Sequence, residues 1–215
     1  MHIRMPERFS VEWMLNHIRT SSYGVPYSFV DQHILRRPLW LKDTPAVAEF
    51  DLSQVGTMEL RLLSRHGHVT RSNRMNAALL DNLATQARFL WGLDDDAEAH
   101  YAAMSSDPHM APLLERFGSL RIMRAPDMYE ALLVTVIGQQ VSVQAAQSIR
   151  RRLIRNMGTR VAVGIAPGGE NYYLYPTPQQ LIEADESALR EQGVSRQKSA
   201  YLLEIANRAA AGELD

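Results

Sequence analysis

Two consecutive glutamines, Gln139 and Gln140, stand in the short polar run Gly138-Gln139-Gln140-Val141-Ser142, between two apolar segments. Amides placed there can satisfy the carbonyls and N–H groups that helix ends leave over, or they can project into a cleft and bind what enters it. Arginine is concentrated around them. Eight arginines and only two acids, Asp127 and Glu130, lie between Arg116 and Arg160, a local balance of +6 in a chain whose total is −1. Of 23 basic residues only Lys42 and Lys198 are lysine. A guanidinium fork pairs with phosphate, so this clustering fits contact with nucleic acid, although a GC-rich genome explains the arginine bias about as well. His66 and His68 flank Gly67 with no third ligand in view, and read as exposed turn residues rather than a metal site. The chain has no cysteine, which excludes disulfides, thiolate catalysis, iron–sulfur clusters and cysteine-bound zinc.

The elements that must carry these residues are legible in the periodicity. Ser10 can cap a helix with Trp13, Met14 and Ile18 inside and His17 on the neighbouring stripe. Alternation then takes over, in Tyr27, Phe29, His33 and Leu35, in Ala48, Phe50 and Leu52, and in Met58, Leu60 and Leu62, with turn residues between the runs. From about Asn73 the period becomes helical: Met75, Leu79, Leu83, Ala87 and Leu90 mark one amphipathic helix ending at Gly92. Asp107-Pro108 opens another. Asp127 begins an apolar helix to Ile137, and Ser142 caps the next, which stops at Gly158. Residues 159–175 read as a loop rich in Gly, Pro and Tyr. Thr177-Pro178, Asp185 and Ser195 each start a further helix, the last ending near Gly212. The expected fold is α+β, with an N-terminal antiparallel sheet domain flanked by helices over residues 1–90 and an all-helical domain over 91–215.

With 215 residues, 46% of them hydrophobic and 22% charged, the chain has the composition of an ordinary globular protein with a substantial core. Its apolar runs fall well short of the roughly 18 residues that a membrane helix needs, and the N-terminus lacks the apolar stretch of a secretory signal. A cytoplasmic, nucleoid-associated location without membrane contact is expected.

The segment from Pro126 to Ile149 resembles the signature of the helix-hairpin-helix DNA glycosylases, in the branch of 3-methyladenine glycosylase II. That signature has an apolar helix opening with Asp-x-aromatic-Glu, then Ile-x-Gly-Gln-x-Val-Ser, then a helix with paired alanines. Asp127, Tyr129, Glu130, Ile137, Gly138, Gln139, Val141, Ser142, Ala145 and Ala146 carry the resemblance. Phe9–Leu15, Phe117–Ile122, Tyr175–Leu181 and Gly193–Leu202 extend it over essentially the whole chain. It implies a base excision repair enzyme that flips an alkylated base out of duplex DNA and hydrolyses its N-glycosidic bond, acting as a monomer without cofactor or metal. It also implies that Gln139 faces the flipped nucleotide from the pocket wall, while Gln140, with Val141 and Ser142, forms the wedge that enters the DNA stack. His17 takes the place of a pocket aromatic, and a buried, hydrogen-bonded histidine is the equally weighted alternative there.

Glycosidic cleavage builds positive charge on the sugar, so it needs a carboxylate near C1′. In this family that aspartate, and a phosphate-binding hairpin reading Leu-Pro-Gly-x-Gly-x-x-Thr-Ala, follow the helix that corresponds to Ser195–Ala211. Asp215 lies too early to match the aspartate, and neither Lys42 nor Lys198 stands where related lyases carry a nucleophile. The chain is therefore expected to stop short of the hairpin and of the catalytic aspartate, and to be inactive alone. The other outcome weighed is a non-catalytic DNA-binding or structural homologue.

Overall fold

The computed structural model of the protein describes residues 1–21, 24–64, 67–69, 74–164 and 170–214. Strands β1 (His2–Arg4), β2 (Ser28–Phe29), β3 (Ile34–Leu41), β4 (Thr44–Asp51), β5 (Thr57–Ser64) and β6 (Gly67–Val69) form one antiparallel sheet in the order β1-β5-β4-β3-β2. Strand β6 shares the β1 edge of β5, pairing with its second half. Alternation decides which face is covered. Leu35, Leu39 and Leu41 of β3, Ala46, Ala48 and Phe50 of β4, and Met58, Leu60 and Leu62 of β5 are all buried in one cluster. Two helices close over that face: α1 (Val11–Thr20) with Met14, Leu15 and Ile18, and α2 (Arg74–Leu90) with Leu80, Leu83, Ala87 and Leu90.

The helical half follows as α3 (Ala97–Met104), α4 (Ala111–Phe117), α5 (Met128–Gly138), α6 (Val143–Met157), α7 (Pro178–Glu183), α8 (Glu186–Glu191) and α9 (Arg196–Ala210). Leu133, Val134 and Ile137 of α5 meet Leu153 and Ile154 of α6, Leu181, Leu189, Leu202 and Ala206 in a second core. Asp127, Ser142, Thr177, Asp185 and Ser195 each cap the following helix, accepting from the N–H three residues on. The boundaries expected at those five residues therefore hold.

Four expectations need correction. Residues 159–175 are not only loop: β7 (Arg160–Val163) and β8 (Glu170–Tyr173) pair as a hairpin. Its Val161 and Tyr172, with Leu174, cover Val47 and Leu63 on the outer face of the sheet, so residues 91–215 are not all-helical. Trp13 is 40% exposed, its ring edge-on to Phe117 at 5.5 Å, and Leu15 takes the inner place assigned to it. Met75 lies exposed one turn ahead of the packed part of α2. Asp107-Pro108 does not start a helix. The Asp107 carboxylate accepts from the amides of His109 and Met110, closing a turn of its own, and α4 begins three residues later.

One charged contact joins the sheet to α5. Arg37 of β3 points to the same side as Leu35 and Leu39, and its guanidinium donates to Oε1 of Glu130 while lying 4.8 Å from the Tyr27 ring centroid. Both partners are buried, and burial lifts the Glu130 carboxyl above its ordinary pKa against the pull of Arg37. Replacing one partner strands the other's charge. Glu130→Met should cost about 3–5 kcal/mol in denaturant unfolding, whereas the double change Arg37→Met with Glu130→Met should recover most of that loss.

Candidate nucleic-acid interface

Helices α5 and α6 are both packed into the second core, and the chain between them turns at the surface. Gln139, Gln140, Val141 and Ser142 are all exposed, Val141 by 39%. The two glutamines therefore do not serve as buried plugs for helix ends. The backbone does that work: the Gln139 N–H donates to the carbonyls of Thr135 and Val136, and the Ser142 hydroxyl accepts from the Ala145 N–H at 3.1 Å. Gln140 has φ of +53°, one of two non-glycine residues with positive φ among the described residues. This left-handed conformation costs a residue with a Cβ about 1–2 kcal/mol. The other is Lys42, in the two-residue turn joining β3 to β4.

A residue that sequence reasoning set aside completes the elbow. Lys198, in the first turn of α9, is half-buried, and its ammonium donates to the Ile137 carbonyl at 3.0 Å and to the Gln139 carbonyl at 2.6 Å. Burial lowers its pKa from the usual lysine value. It is a clamp on the end of α5 rather than a nucleophile. Its sequence position carried a signal: N3 of a capped helix favours Glu or Gln, as Gln180 shows in the capping box of α7, and a cation there opposes the dipole of α9.

His17 is exposed on α1, so the alternative of a buried histidine does not hold. The end of its helix is tied to α6, since the Gln147 side chain donates to the Ser21 carbonyl at 2.7 Å. The arginines clustered between Arg116 and Arg160 in sequence are divided among different surroundings in the structure. Arg150 is wholly buried, and its guanidinium adds to the positive field around Glu130. Arg124 is paired with Asp95 at 2.8 Å, and Arg152 donates to the Gln192 carbonyl at 2.8 Å. Arg116, Arg151, Arg155 and Arg160 are exposed. His66 and the His68 side chain lie outside the described residues. Among the described residues no three His, Asp or Glu side chains gather as a metal site, and no helix is long and apolar enough to cross a membrane. A cavity of about 1020 Å³ lies away from the elbow, between the N-terminal strand, α1 and the β4–β5 turn.

Comparison with known proteins agrees with this architecture. Residues 133–211, from α5 through α9, match the HhH-GPD superfamily of base excision DNA repair proteins. The chain is 22% identical over 212 residues to the DNA-3-methyladenine glycosylase of Bacillus subtilis, covering 99% of this chain and 66% of that protein. It is 32% identical over 95 residues to the DNA-3-methyladenine glycosylase 2 of Escherichia coli, covering 44% of this chain and 32% of that one. Its fold superposes on the 3-methyladenine DNA-glycosylase of Archaeoglobus fulgidus with a TM-score of 0.77 at 21% identity, over 96% of this chain and 66% of that structure. The chain thus spans about two thirds or less of the length of these relatives.

The cap and the wedge position separate in stability. Ser142→Ala should cost about 1 kcal/mol in urea unfolding, through loss of the α6 cap. Gln140→Ala should stay within about 0.5 kcal/mol of wild type, because the side chain removed is exposed and the left-handed backbone suits neither residue.

Proposed function

We propose that this chain, whose residues 133–211 match the HhH-GPD superfamily of base excision DNA repair proteins, is part of a DNA glycosylase that extrudes alkylated bases of the 3-methyladenine type from duplex DNA and hydrolyses their N-glycosidic bond. The observation that carries this reading is the exposed elbow. Two helices packed into one core meet in four surface residues, with a long polar side chain at Gln140 on a left-handed backbone where a bare turn would take glycine. A side chain held out at that place can fill the gap that a flipped nucleotide leaves in the stack. Gln139, beside it, offers an amide that can hydrogen-bond the extruded base, and the exposed His17 is a candidate for the same pocket. The amide N–H groups at the start of α6, behind Ser142, suit a backbone phosphate.

Three carboxylates of the helical half are already engaged. Asp127 accepts from the Glu130 N–H at 2.7 Å, Asp185 caps α8, and Glu130 is buried against Arg37. The reading accordingly gives residues 1–215 the binding and opening of the duplex, with Gln140 in the wedge, and gives the carboxylate that stabilises the sugar cation to the whole protein. Duplex DNA with a damaged base is the proposed partner, taken by a monomer.

Two measurements test it. Residues 1–215 alone should release no 3-methyladenine from alkylated DNA, whereas the whole protein should. Robust excision by the 215 residues would show that the carboxylate is among them. In the whole protein Gln140→Ala should weaken binding to an abasic-site duplex about fivefold to tenfold. Unchanged affinity would remove Gln140 from the wedge.

A further inference from the structure

The elbow holds a conformation that its own sequence does not favour. Gln139 has φ −62° and ψ 136°, and Gln140 has φ +53°. An extended first residue followed by a positive φ is the pattern of a type II turn, whose third residue is ordinarily glycine or asparagine. Glutamine at that position favours the type I alternative, which differs chiefly by a flip of the peptide between Gln139 and Gln140. The flip would swing the Gln139 carbonyl to the opposite side of the turn. That carbonyl is the one Lys198 grips, at 2.6 Å, while its second bond at 3.0 Å anchors the ammonium to Ile137 inside α5.

Nothing in α9 calls for a lysine there. It sits three residues after the cap Ser195, against the dipole of its own helix, and gives up the capping box that a glutamine completes in α7. Placed at the C-terminal end of α5, the same charge is favourable and meets carbonyls that the helix leaves over. We propose that Lys198 is a positioning residue: it locks the Gln139–Gln140 peptide in the type II orientation and so fixes the direction in which the Gln140 side chain leaves the surface. In the type I state the backbone at Gln140 rotates and the amide is aimed elsewhere. The proposal rests on the wedge reading for its consequence in DNA binding, but the state of the turn can be measured without DNA.

The experiment uses the 215-residue chain as wild type, Lys198→Met, Lys198→Arg and Lys198→Gln, with two readouts. The first is the nuclear Overhauser effect between the Gln139 Hα and the Gln140 amide proton, strong in a type II turn and weak in type I. The second is the dissociation constant for an abasic-site duplex against an intact one. Lys198→Met should lose the strong effect and bind the abasic duplex about tenfold more weakly. Lys198→Arg, which keeps a cation of similar reach, should retain both. Lys198→Gln is too short to hold both carbonyls and should behave as Lys198→Met does, which covers the case in which the methionine variant fails to fold. Gln140→Gly should raise Tm in the wild type by more than in Lys198→Met, where the strain has already been released. Loss of a generic packing contact would not couple the two positions. An undiminished Overhauser effect in Lys198→Met and Lys198→Gln overturns the proposal. A wild type that does not prefer the abasic duplex overturns the wedge reading instead, and leaves the turn measurement to decide the role of Lys198.

Discussion

The ion pair between Arg37 and Glu130 is the contact on which the placement of the candidate site depends. Glu130 is the one charged residue in the eleven of α5, and it stands in the first turn, just behind the cap Asp127. Removing two charges from water is expensive, and their attraction repays the cost only where geometry is close and further partners are at hand. Here the partners are the aromatic face of Tyr27 and the field of the buried Arg150. An apolar residue at 130 could slide along the sheet, whereas a carboxylate that must meet one guanidinium cannot. The pair thereby fixes the start of α5 on β3. Because α5 is one continuous helix of about three turns, fixing its start also constrains where its far end, the elbow, emerges.

A second constraint works from the outer side of the sheet. Arg36 joins Glu49 at 2.8 Å and also pairs with Glu170 of the hairpin, while Arg61 bridges Glu49 and Glu59. The hairpin leaves α6 and returns to α7, so its attachment to β3, β4 and β5 holds the second core against the first from that side. The sheet is thus gripped on both faces by residues of the helical half, and a division near residue 90 describes the sequence pattern more closely than the packing.

What was legible in the sequence follows from how local its causes are. A cap is a contact across three residues, so Asp127, Ser142, Thr177, Asp185 and Ser195 announced their helices directly. Alternation in β4 and β5 did the same for the sheet. The hairpin was not legible, because Val161 and Val163 are too few to show a period and their partner surface, Val47 and Leu63, is about a hundred residues away in sequence. Trp13 was misplaced because aromatic character alone does not say whether a ring lies inside a core or against a neighbour such as Phe117. At the elbow, Gln139 and Gln140 stand open to two readings in the sequence, and their exposure removes only the one in which they plug buried helix ends. Lys198 was invisible as a partner, since its carbonyls at Ile137 and Gln139 lie about sixty residues before it.

The elbow shows how a local conflict can be maintained by a distant residue. Glycine at 140 would relax the turn but leave no side chain to project. A β-branched residue would be stiffer but would tolerate positive φ least of all. Glutamine keeps a long polar side chain on a backbone that opposes it, and such a conformation persists only where its surroundings over-determine it. Three elements do so here: α5 ends in backbone bonds from Gln139, α6 begins on the Ser142 cap, and α9 supplies the cation that holds the peptide between them. The strain is confined to one residue because the elements on either side are anchored in the same core. A chain segment built this way enters an encounter with its orientation already set, and the ordering entropy that a flexible loop would lose on binding has been met during folding.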